Sequence, residues 1–272
     1  MKLEILTIVL DGQPFISKIL PELKKLKVPW FWRIAEGASD NTHCTKWCNK
    51  PIPRLSRDGT SEYLSSISGH PNIKIYRRQI WDGKVSMFNA MCSDINSPCV
   101  LLERDVDEFY TAHQMERIVK MFEDRPEAMR AYFWCRYFLG PKIISTSVNG
   151  YGNRNGEWLR AFRFKPGMTF SKHEPPILND NNGIAISREE TADLGIIFDH
   201  FSWLLETQAI FKESFYGYKN AAMHWRNLQK NTKWPVSGKK FLPWVGDGAT
   251  FDLINEAAEH SWKKILEMEG SL

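Results

Sequence analysis

The sequence has no long hydrophobic run and few cysteines. The apolar stretch near its start, Ile5 to Leu10, has six residues and ends at Asp11, whereas a membrane-spanning helix needs about 20. We therefore expect no membrane span, no signal-peptide core and a cytoplasmic protein. The five cysteines are an odd number and are widely spaced, which is unlike the disulfide framework of a secreted domain.

The sequence also has little net charge. Its 36 Lys and Arg residues are interspersed with 32 Asp and Glu residues, for a formal charge of +4. No basic stripe is present, so we expect no nucleic-acid partner. His43, Cys44 and Cys48 lack a second Cys or His pair at ligand spacing, which argues against structural zinc. An apolar content of 43% is that of a globular protein.

Strand-like and helix-like segments alternate through the first half of the chain. Segments rich in β-branched residues and Leu predict strands at Leu3 to Leu10, Trp30 to Ala35, Ile73 to Ile80, Cys99 to Leu102, Ala131 to Leu139 and Trp158 to Phe164. Apolar residues at helical spacing predict helices at Pro14 to Leu26, Gly83 to Ile95, His113 to Glu123, Trp203 to Phe215 and Ala249 to Met268. This order predicts an α/β fold with a mixed central sheet flanked by helices.

A cluster of acids, Glu103 to Glu108, directly follows the short apolar strand at Cys99 to Leu102. Ligands of open α/β sheets bind at this carboxyl end of the strands. In an extended segment Asp105 and Asp107 would share one face. Two such carboxylates need a divalent cation, a basic partner such as Arg104, or a raised pKa on one of them.

This acidic segment and three others resemble one enzyme family. Asp105 to Phe109 is similar to the DxD element of GT-A glycosyltransferases, particularly those of family 2. Leu6 to Gly12 resembles the first strand and nucleotide-binding turn of that family, and Glu36 to Asp40 takes the place of its second acidic loop. Trp81 to Lys84, with Asn89, resembles its Gly-Lys and Asn element. The resemblance covers residues 3 to 110 well and extends loosely to residue 225.

The resemblance implies a GT-A fold, which is the Rossmann-like fold of nucleotide-diphospho-sugar transferases. Its catalytic domain would span residues 1–225, with a nucleotide-sugar-binding half at 1–110 and an acceptor half at 111–225, followed by a C-terminal helical extension at 226–272. The acceptor would be a glycan or another molecule with a hydroxyl group. The implied donor is a nucleoside-diphosphate sugar, and the implied cofactor is Mn²⁺ or Mg²⁺.

The resemblance also implies roles for individual residues. Asp11, Glu36 and Asp40 would contact the base and ribose, and Lys84 would lie in the donor site. Asp105 would contact the ribose or the metal, and Asp107 would bind the metal. The second loop departs from the family pattern Asp-Asp-Gly-Ser-x-Asp, since the chain has Ala35-Glu36-Gly37-Ala38-Ser39-Asp40. Asp11 as a turn residue and Asp40 as a helix cap are the structural alternatives.

The second half offers candidates for the remaining catalytic groups. An inverting transferase needs a base that takes the proton of the acceptor hydroxyl. Glu174 is the first candidate and Asp199 the second; the alternative for Glu174 is an ion pair with Lys172 or an arginine. His200 resembles the late histidine that supplies a metal ligand in many GT-A enzymes, with His173 as its substitute. The alternative is a buried structural histidine.

Arg160 and Arg163 lie in the predicted strand Trp158 to Phe164. We expect both guanidinium groups on one face of that strand, where they would either meet phosphate or an acidic sugar or form a solvent-facing row. The whole pattern predicts a metal-dependent glycosyltransferase that acts with inversion. A nucleotidyltransferase or another sugar-nucleotide phosphoryl enzyme is the first alternative. A carbohydrate-binding protein with a decayed site is the second.

Overall fold

The structure is a computed structural model that describes residues 1–40, 52–146, 158–179 and 182–254, together with residues 263 and 265. The candidate zinc ligands His43, Cys44 and Cys48 lie outside the described residues. The chain divides into two compact units. Among the described residues, the first unit contains 1–40, 52–134, 158–179 and 182–198, and the second contains 135–146 and 199–254.

The secondary-structure elements are numbered along the chain. The strands are β1 (Leu3–Val9), β2 (Trp30–Ser39), β3 (Ile73–Trp81), β4 (Cys99–Glu103), β5 (Glu108–Phe109), β6 (Ala128–Tyr132), β7 (Trp134–Gly140), β8 (Ile143–Ser145), β9 (Leu159–Phe164), β10 (Phe170–His173), β11 (Pro176–Leu178), β12 (Ile184–Ile186), β13 (Ile197–His200), β14 (Val236–Ser237) and β15 (Thr250–Leu253). The helices are α1 (Ile16–Leu23), α2 (Thr60–Ile67), α3 (Gly83–Cys92), α4 (Ala112–Asp124), α5 (Arg188–Asp193), α6 (Glu206–Phe211) and α7 (Ala221–Gln229). A π-helix, Lys212–Tyr216, continues α6.

The first unit is built on a seven-stranded sheet with the order β12-β6-β9-β4-β1-β2-β3. Strands β4, β1, β2 and β3 are parallel neighbours, whereas β9 runs antiparallel to both β4 and β6. The predicted α/β fold with a mixed central sheet flanked by helices is therefore confirmed. The carboxyl ends of four parallel strands meet at one edge of this sheet, where ligands of such folds bind.

The core of the first unit follows from the apolar segments of the sequence. Strand β1 is almost entirely buried along its length, as expected for a parallel strand covered on both faces. Helix α1 buries Ile16, Ile19, Leu20 and Leu23, which recur at helical spacing. Helix α4 begins after Thr111, whose hydroxyl accepts a hydrogen bond from the Gln114 N–H at 3.2 Å, a capping box that satisfies the first turn.

The second unit contains an antiparallel arrangement of β14, β15, β8 and β7. Helices α6 and α7 also belong to it. Within the described ranges, no helix is both long enough and apolar enough to cross a membrane.

Several predicted elements have different bounds in the structure. Strand β2 continues to Ser39, so most of the predicted loop Glu36 to Asp40 is strand. The predicted strand Ala131 to Leu139 is interrupted at Phe133, which separates β6 from β7. Residues Thr250–Leu253 form a strand paired with β8, so the helix predicted from Ala249 is wrong over those residues.

Gly37 is the position where β2 requires glycine. Its φ is +135°, and a Cβ atom there would lie 1.8 Å from the backbone oxygen of Arg78. The β2–β3 register shifts between Glu36 and Ala38, so the neighbouring strand approaches the α-carbon directly. Only a residue without a side chain fits this bulge.

We expect Gly37→Ala to lower the free energy of unfolding by about 3 kcal/mol, because both the backbone conformation and the contact with Arg78 become strained. Chemical denaturation monitored by tryptophan fluorescence measures this change. Gly69→Ala is the matched control, since a Cβ at Gly69 meets nothing within 4 Å. Equal stability of the two variants would contradict the close approach at Gly37.

Candidate active site

The turn after β1 is held by side chains of residues 56–60, which lead into α2 and include its first residue. The backbone N–H groups of Asp11, Gly12 and Gln13 donate to Ser56 Oγ at 3.0 Å, Thr60 Oγ1 at 2.8 Å and Asp58 Oδ2 at 2.8 Å, respectively. A Cβ at Gly12 would lie 3.4 Å from Val106 Cγ2. The predicted nucleotide-binding turn is therefore packed against the turn between Asp105 and Asp107.

The Asp11 carboxylate is paired with Arg54, a residue that the sequence did not single out. Arg54 Nη1 donates to Asp11 Oδ1 at 3.0 Å, and Nη2 forms an ion pair with Oδ2. The Arg54 backbone N–H donates to Gln79 O at 2.7 Å, and its carbonyl accepts from the Ala38 N–H at 3.1 Å. The ends of β2 and β3 thus hold the backbone of Arg54 beside Asp11.

Glu36 is a buried side chain at the same edge. It is 0% exposed and accepts a hydrogen bond from Arg77 Nε at 2.8 Å and another from the Ser61 hydroxyl. Because β2 includes it, Glu36 lies within a strand and not in a flexible loop. Asp40 follows that strand, and its N–H donates to Trp81 O at 3.0 Å. The predicted donor contacts of Glu36 and Asp40 stay predictions.

The predicted alternation of Asp105 and Asp107 along a strand is wrong. Strand β4 ends at Glu103, and Val106 and Asp107 form a turn that the Glu108 N–H closes onto Asp105 O at 3.1 Å. All three turn residues are partly exposed. Both carboxylates therefore leave from a tight turn at the sheet edge, where backbone curvature and not strand periodicity sets their directions.

Arg160 on β9 is the basic partner of this acidic cluster. Its Nε donates to Glu108 Oε1 at 2.9 Å and its Nη2 to Asp105 Oδ2 at 3.3 Å. Its Nη1 lies 3.6 Å from Glu103 Oε1. Arg160 is 6% exposed; burial alone would lower its pKa, but the neighbouring acids outweigh burial and raise the pKa above the usual range. The single buried guanidinium of Arg160 thus lies within 4 Å of three acidic side chains.

Arg104, the other candidate partner of the acids, and Arg163, the other arginine of the predicted strand, make different contacts. Arg104 is fully buried, its Nε donates to Glu108 O at 2.9 Å, and burial lowers its pKa to about 10. Arg163 Nε donates to Ala128 O at 3.0 Å, and its Nη2 donates to Arg125 O at 3.1 Å. The expectation that Arg160 and Arg163 share a face is wrong, because residues three apart in a strand point to opposite sides.

Glu103 closes β4 with a carboxyl group that is 0% exposed. Burial raises its pKa to about 8, although Arg160 opposes the shift. This carboxyl is therefore largely protonated at neutral pH. The sequence did contain an indication of this burial, because Glu103 is the acid of the cluster that directly follows the apolar strand.

Glu174, the candidate base, follows β10 and is paired with a different lysine from the one considered. Lys84 Nζ lies 3.3 Å from Glu174 Oε1, and this charge lowers the Glu174 pKa. His173 Nε2 lies 3.7 Å from the same oxygen. Burial lowers the pKa of His173 to about 3, and Lys84 contributes. The side chain of Glu174 is 57% exposed and is therefore accessible, and the lowered pKa keeps its carboxylate ionised at neutral pH.

Asp199 and His200 belong to the second unit. Asp199 is buried, and its Oδ2 accepts from Arg136 Nη2 at 2.8 Å, while Arg136 Nε bonds the other oxygen. His200 is 7% exposed, with its ring edge-on to Tyr137 at 4.8 Å. Arg136 thus engages both oxygens of Asp199, which makes Asp199 a less available base than Glu174. The metal-ligand role of His200 stays a prediction.

The metal-binding roles of Asp105 and Asp107 stay predictions. Within the residues that the structure describes, no group of three or more His, Cys, Asp or Glu side chains is arranged to hold a metal. Asp105 and Asp107 would therefore supply two carboxylates at most. Mg²⁺ and Mn²⁺ accept such sites, because they prefer oxygen ligands and take the remainder from water and phosphate.

Comparisons with known proteins give distant structural likenesses. No family model and no curated protein matches the chain. The structure is similar to S. aureus TarS 1-349 in complex with UDP, at 12% identity over 60% of this chain and 47% of that chain, with a TM-score of 0.41. It is also similar to the mannosyltransferase PcManGT from Pyrobaculum calidifontis in complex with GDP-Man and Mn²⁺, at 12% identity over 89% and 67% of the two chains, with a TM-score of 0.47. The chain spans about half the length of TarS 1-349 in the first comparison.

The raised pKa of Glu103 predicts a pH dependence of stability. Because the native state keeps this proton up to about pH 8 and the unfolded state releases it near 4.5, stability falls as the pH rises through this window. The lowered pKa of His173 affects stability only below about pH 6.5. There the unfolded state binds a proton that the native imidazole does not, so the free energy of unfolding falls as the pH falls.

We expect Glu103→Gln to remove the fall in stability that Glu103 causes between about pH 4.5 and pH 8. The free energy of unfolding of the variant relative to the native protein should rise by about 2 kcal/mol between about pH 6 and pH 8. Urea denaturation at several pH values measures it. Glu62→Gln on the exposed face of α2 is the control. Parallel stability curves for Glu103→Gln and the native protein would show that Glu103 titrates normally.

Proposed function

We propose that this chain transfers a sugar from a nucleoside-diphosphate sugar to an acceptor hydroxyl, with inversion at the anomeric carbon and with Mn²⁺ or Mg²⁺ as cofactor. One observation carries the proposal. Asp11, Glu36 and the Asp105–Asp107 turn lie at the carboxyl edge of four parallel strands. Lys84, in the helix that follows β3, forms an ion pair with the accessible, ionised Glu174. The sequence resemblance to GT-A glycosyltransferases supports the same conclusion.

The donor side of the site has the groups that a nucleotide sugar requires. Asp11 has a partly exposed carboxylate next to Arg54, which would suit the hydroxyl and N–H groups of a nucleoside. Glu36 is buried beside Arg77 and would support this side of the site from beneath. Lys84 at the start of α3 supplies a positive charge for a diphosphate. A divalent cation held by Asp105 and Asp107 would neutralise the charge that develops on the departing diphosphate.

The acceptor side needs a base that is free of its proton before the reaction. Lys84 keeps the Glu174 pKa low, so the carboxylate is ready to accept the acceptor's hydroxyl proton. As that proton moves to Glu174, the acceptor oxygen bonds to the anomeric carbon. The bond from that carbon to the diphosphate breaks, and its electron pair leaves with the diphosphate. Attack opposite the leaving group inverts the anomeric centre.

Asp107→Asn should abolish the Mn²⁺-dependent part of nucleotide-sugar binding, because the neutral amide is a poor ligand for a hard cation. Isothermal titration calorimetry with UDP- and GDP-sugars, with and without Mn²⁺, measures the effect. A thermal-shift screen first selects the donor that stabilises the protein. Asp124→Asn, at the exposed end of α4, is the control. If Asp107→Asn keeps the native Mn²⁺-dependent affinity, Asp107 is not a ligand.

Glu174→Gln should bind the selected donor with near-native affinity and lower kcat by about a hundredfold to ten-thousandfold, the range lost with a general base. Transfer to a panel of hydroxyl acceptors, followed by mass spectrometry, measures turnover. Asp199→Asn is the comparison variant, since Asp199 is the second candidate base. A large loss of kcat in Asp199→Asn together with near-native turnover in Glu174→Gln would transfer the role to Asp199.

A further inference from the structure

The second unit contains a row of aromatic side chains to which the proposed transfer gives no role. Phe211 and Phe215 are stacked with ring centroids 5.1 Å apart, and Tyr216 lies edge-on to them at 5.8 Å and 5.1 Å, respectively. Tyr216 is followed by Tyr218 at 6.5 Å, and Tyr218 by Trp244 at 5.1 Å. These five residues are called the aromatic row below. Each ring contacts the next, so the row is continuous from Phe215 to Trp244.

The aromatic row retains solvent-exposed surface. All five of its residues are half-buried, whereas Trp203, which is stacked on Trp244 at 5.5 Å, is buried beneath that end of the row. Six contacting Phe and Tyr rings of the first unit are, by contrast, at most 2% exposed: Phe88, Tyr110, Phe133, Phe162, Phe170 and Phe198. Packing of a core would bury the row in the same way. Contiguous apolar surface left at the solvent is typical of a binding site.

A π-helix brings three of these rings together. It spans Lys212–Tyr216 and directly follows Phe211, and its hydrogen bonds join residues five apart instead of four. The wider turn places the residues four and five positions after Phe211 on the same side, so that Phe215 and Tyr216 both contact Phe211. In an α-helix, Tyr216 would point away from Phe211. π-Helices are rare and are frequent at functional sites.

The remaining rings of the row are fixed by their backbone or by packing. The Tyr218 N–H donates to Lys212 O at 3.2 Å, and the Tyr218 carbonyl accepts from the Ala221 N–H at 3.2 Å, so the residue is held between the π-helix and α7. Trp244 is held by its stacking on the buried Trp203. Side chains that are ordered in advance lose little freedom when a ligand binds.

The helical segment that carries the row also borders a groove. The groove has a volume of about 560 Å³ and is lined by Ile210, Glu213, Ser214, Ala222 and Arg226. Its charged groups are oriented by their own contacts, since Glu213 Oε2 accepts from the Ala222 N–H at 3.0 Å and Arg226 Nε donates to Glu206 Oε1 at 2.6 Å. Ligand sites combine apolar surface with a few placed polar groups. One segment of the second unit therefore offers both.

We propose that the aromatic row binds a glycan chain through the C–H faces of successive sugar residues. The C–H groups of a pyranose ring carry a partial positive charge, and the face of an aromatic ring is negative. Three of the five side chains, Tyr216, Tyr218 and Trp244, also have a polar atom, which suits the hydroxyl-rich edge of a sugar better than a lipid or an apolar peptide. Because the row extends over several rings, a chain of sugars covers more of it than a single sugar does.

The inference rests on the proposed function in one respect, which is that the bound glycan is the acceptor. The acceptor is then a saccharide chain and not a small alcohol. The row belongs to the second unit, whereas Asp107 and Glu174 belong to the first. Binding of a glycan to the row can therefore be measured without donor, metal or turnover.

Calorimetry with hexasaccharides of glucose, mannose and N-acetylglucosamine tests the row directly. We expect at least one hexasaccharide to bind, and to bind more tightly than its disaccharide, since it covers more rings. Tyr216→Ala should weaken this binding about tenfold, whereas Tyr216→Phe should keep it within about threefold, because the ring supplies the contact. Phe241→Ala is the control, since Phe241 is a half-buried ring of the same unit outside the row. Native affinity in Tyr216→Ala, or no binding of any of the hexasaccharides, would overturn the proposal.

Tryptophan fluorescence gives a second measurement that keeps a ring at every position of the row. The hexasaccharide that binds should shift the emission of the native protein to shorter wavelength, and Trp244→Phe should lose most of this shift while it still binds the sugar. An unchanged shift in Trp244→Phe would place the glycan elsewhere and overturn the proposal. A protein that binds the hexasaccharide through the row but transfers no sugar to it from any donor would instead refute the proposed function and leave the glycan site in place.

Discussion

The guanidinium of Arg160 is the positive charge on which the acidic edge of the first unit depends. It contacts Glu108 and Asp105 and lies near Glu103, and all of these groups except Asp105 are buried. Without a cation, carboxylates so close together in a region of low dielectric would repel one another or take up protons. Arg160 neutralises part of this charge, and Glu103 accommodates the rest by keeping its proton.

The donor side of the edge is organised by a second set of ion pairs. Arg54 and Arg77 hold Asp11 and Glu36, and the segment that carries Ser56 and Thr60 satisfies the backbone of the first turn. Side chains that are already fixed lose little rotational freedom when a ligand arrives. In the proposed function, a nucleotide would thus meet groups that the protein's own contacts have already oriented.

Apolar periodicity was sufficient to predict the α/β architecture, because burial sets the positions of β1, α1 and β4 directly. It also placed Asp105 and Asp107 at a strand end. It failed where tertiary pairing decides the outcome. The break at Phe133, the extension of β2 to Ser39 and the turn at Val106 have no local apolar pattern. Arg54 and Arg160 were missed as partners because a one-dimensional pattern does not indicate which strands become neighbours.

The antiparallel strand β9 brings Arg160 to acids that lie far from it in the sequence. Arg160 is 55 residues beyond Asp105 in sequence, and it reaches the acids only when β9 adds to the edge of β4. During synthesis, the acidic cluster Glu103 to Glu108 emerges before Arg160, its buried partner. A chimera that joins the segment up to the acidic cluster to a foreign second half would need an arginine at the same register, directly before the residue that pairs with Leu102 as Ala161 does. A junction between the parallel strands and the second half of the chain would therefore separate the acidic cluster from the arginine that neutralises it.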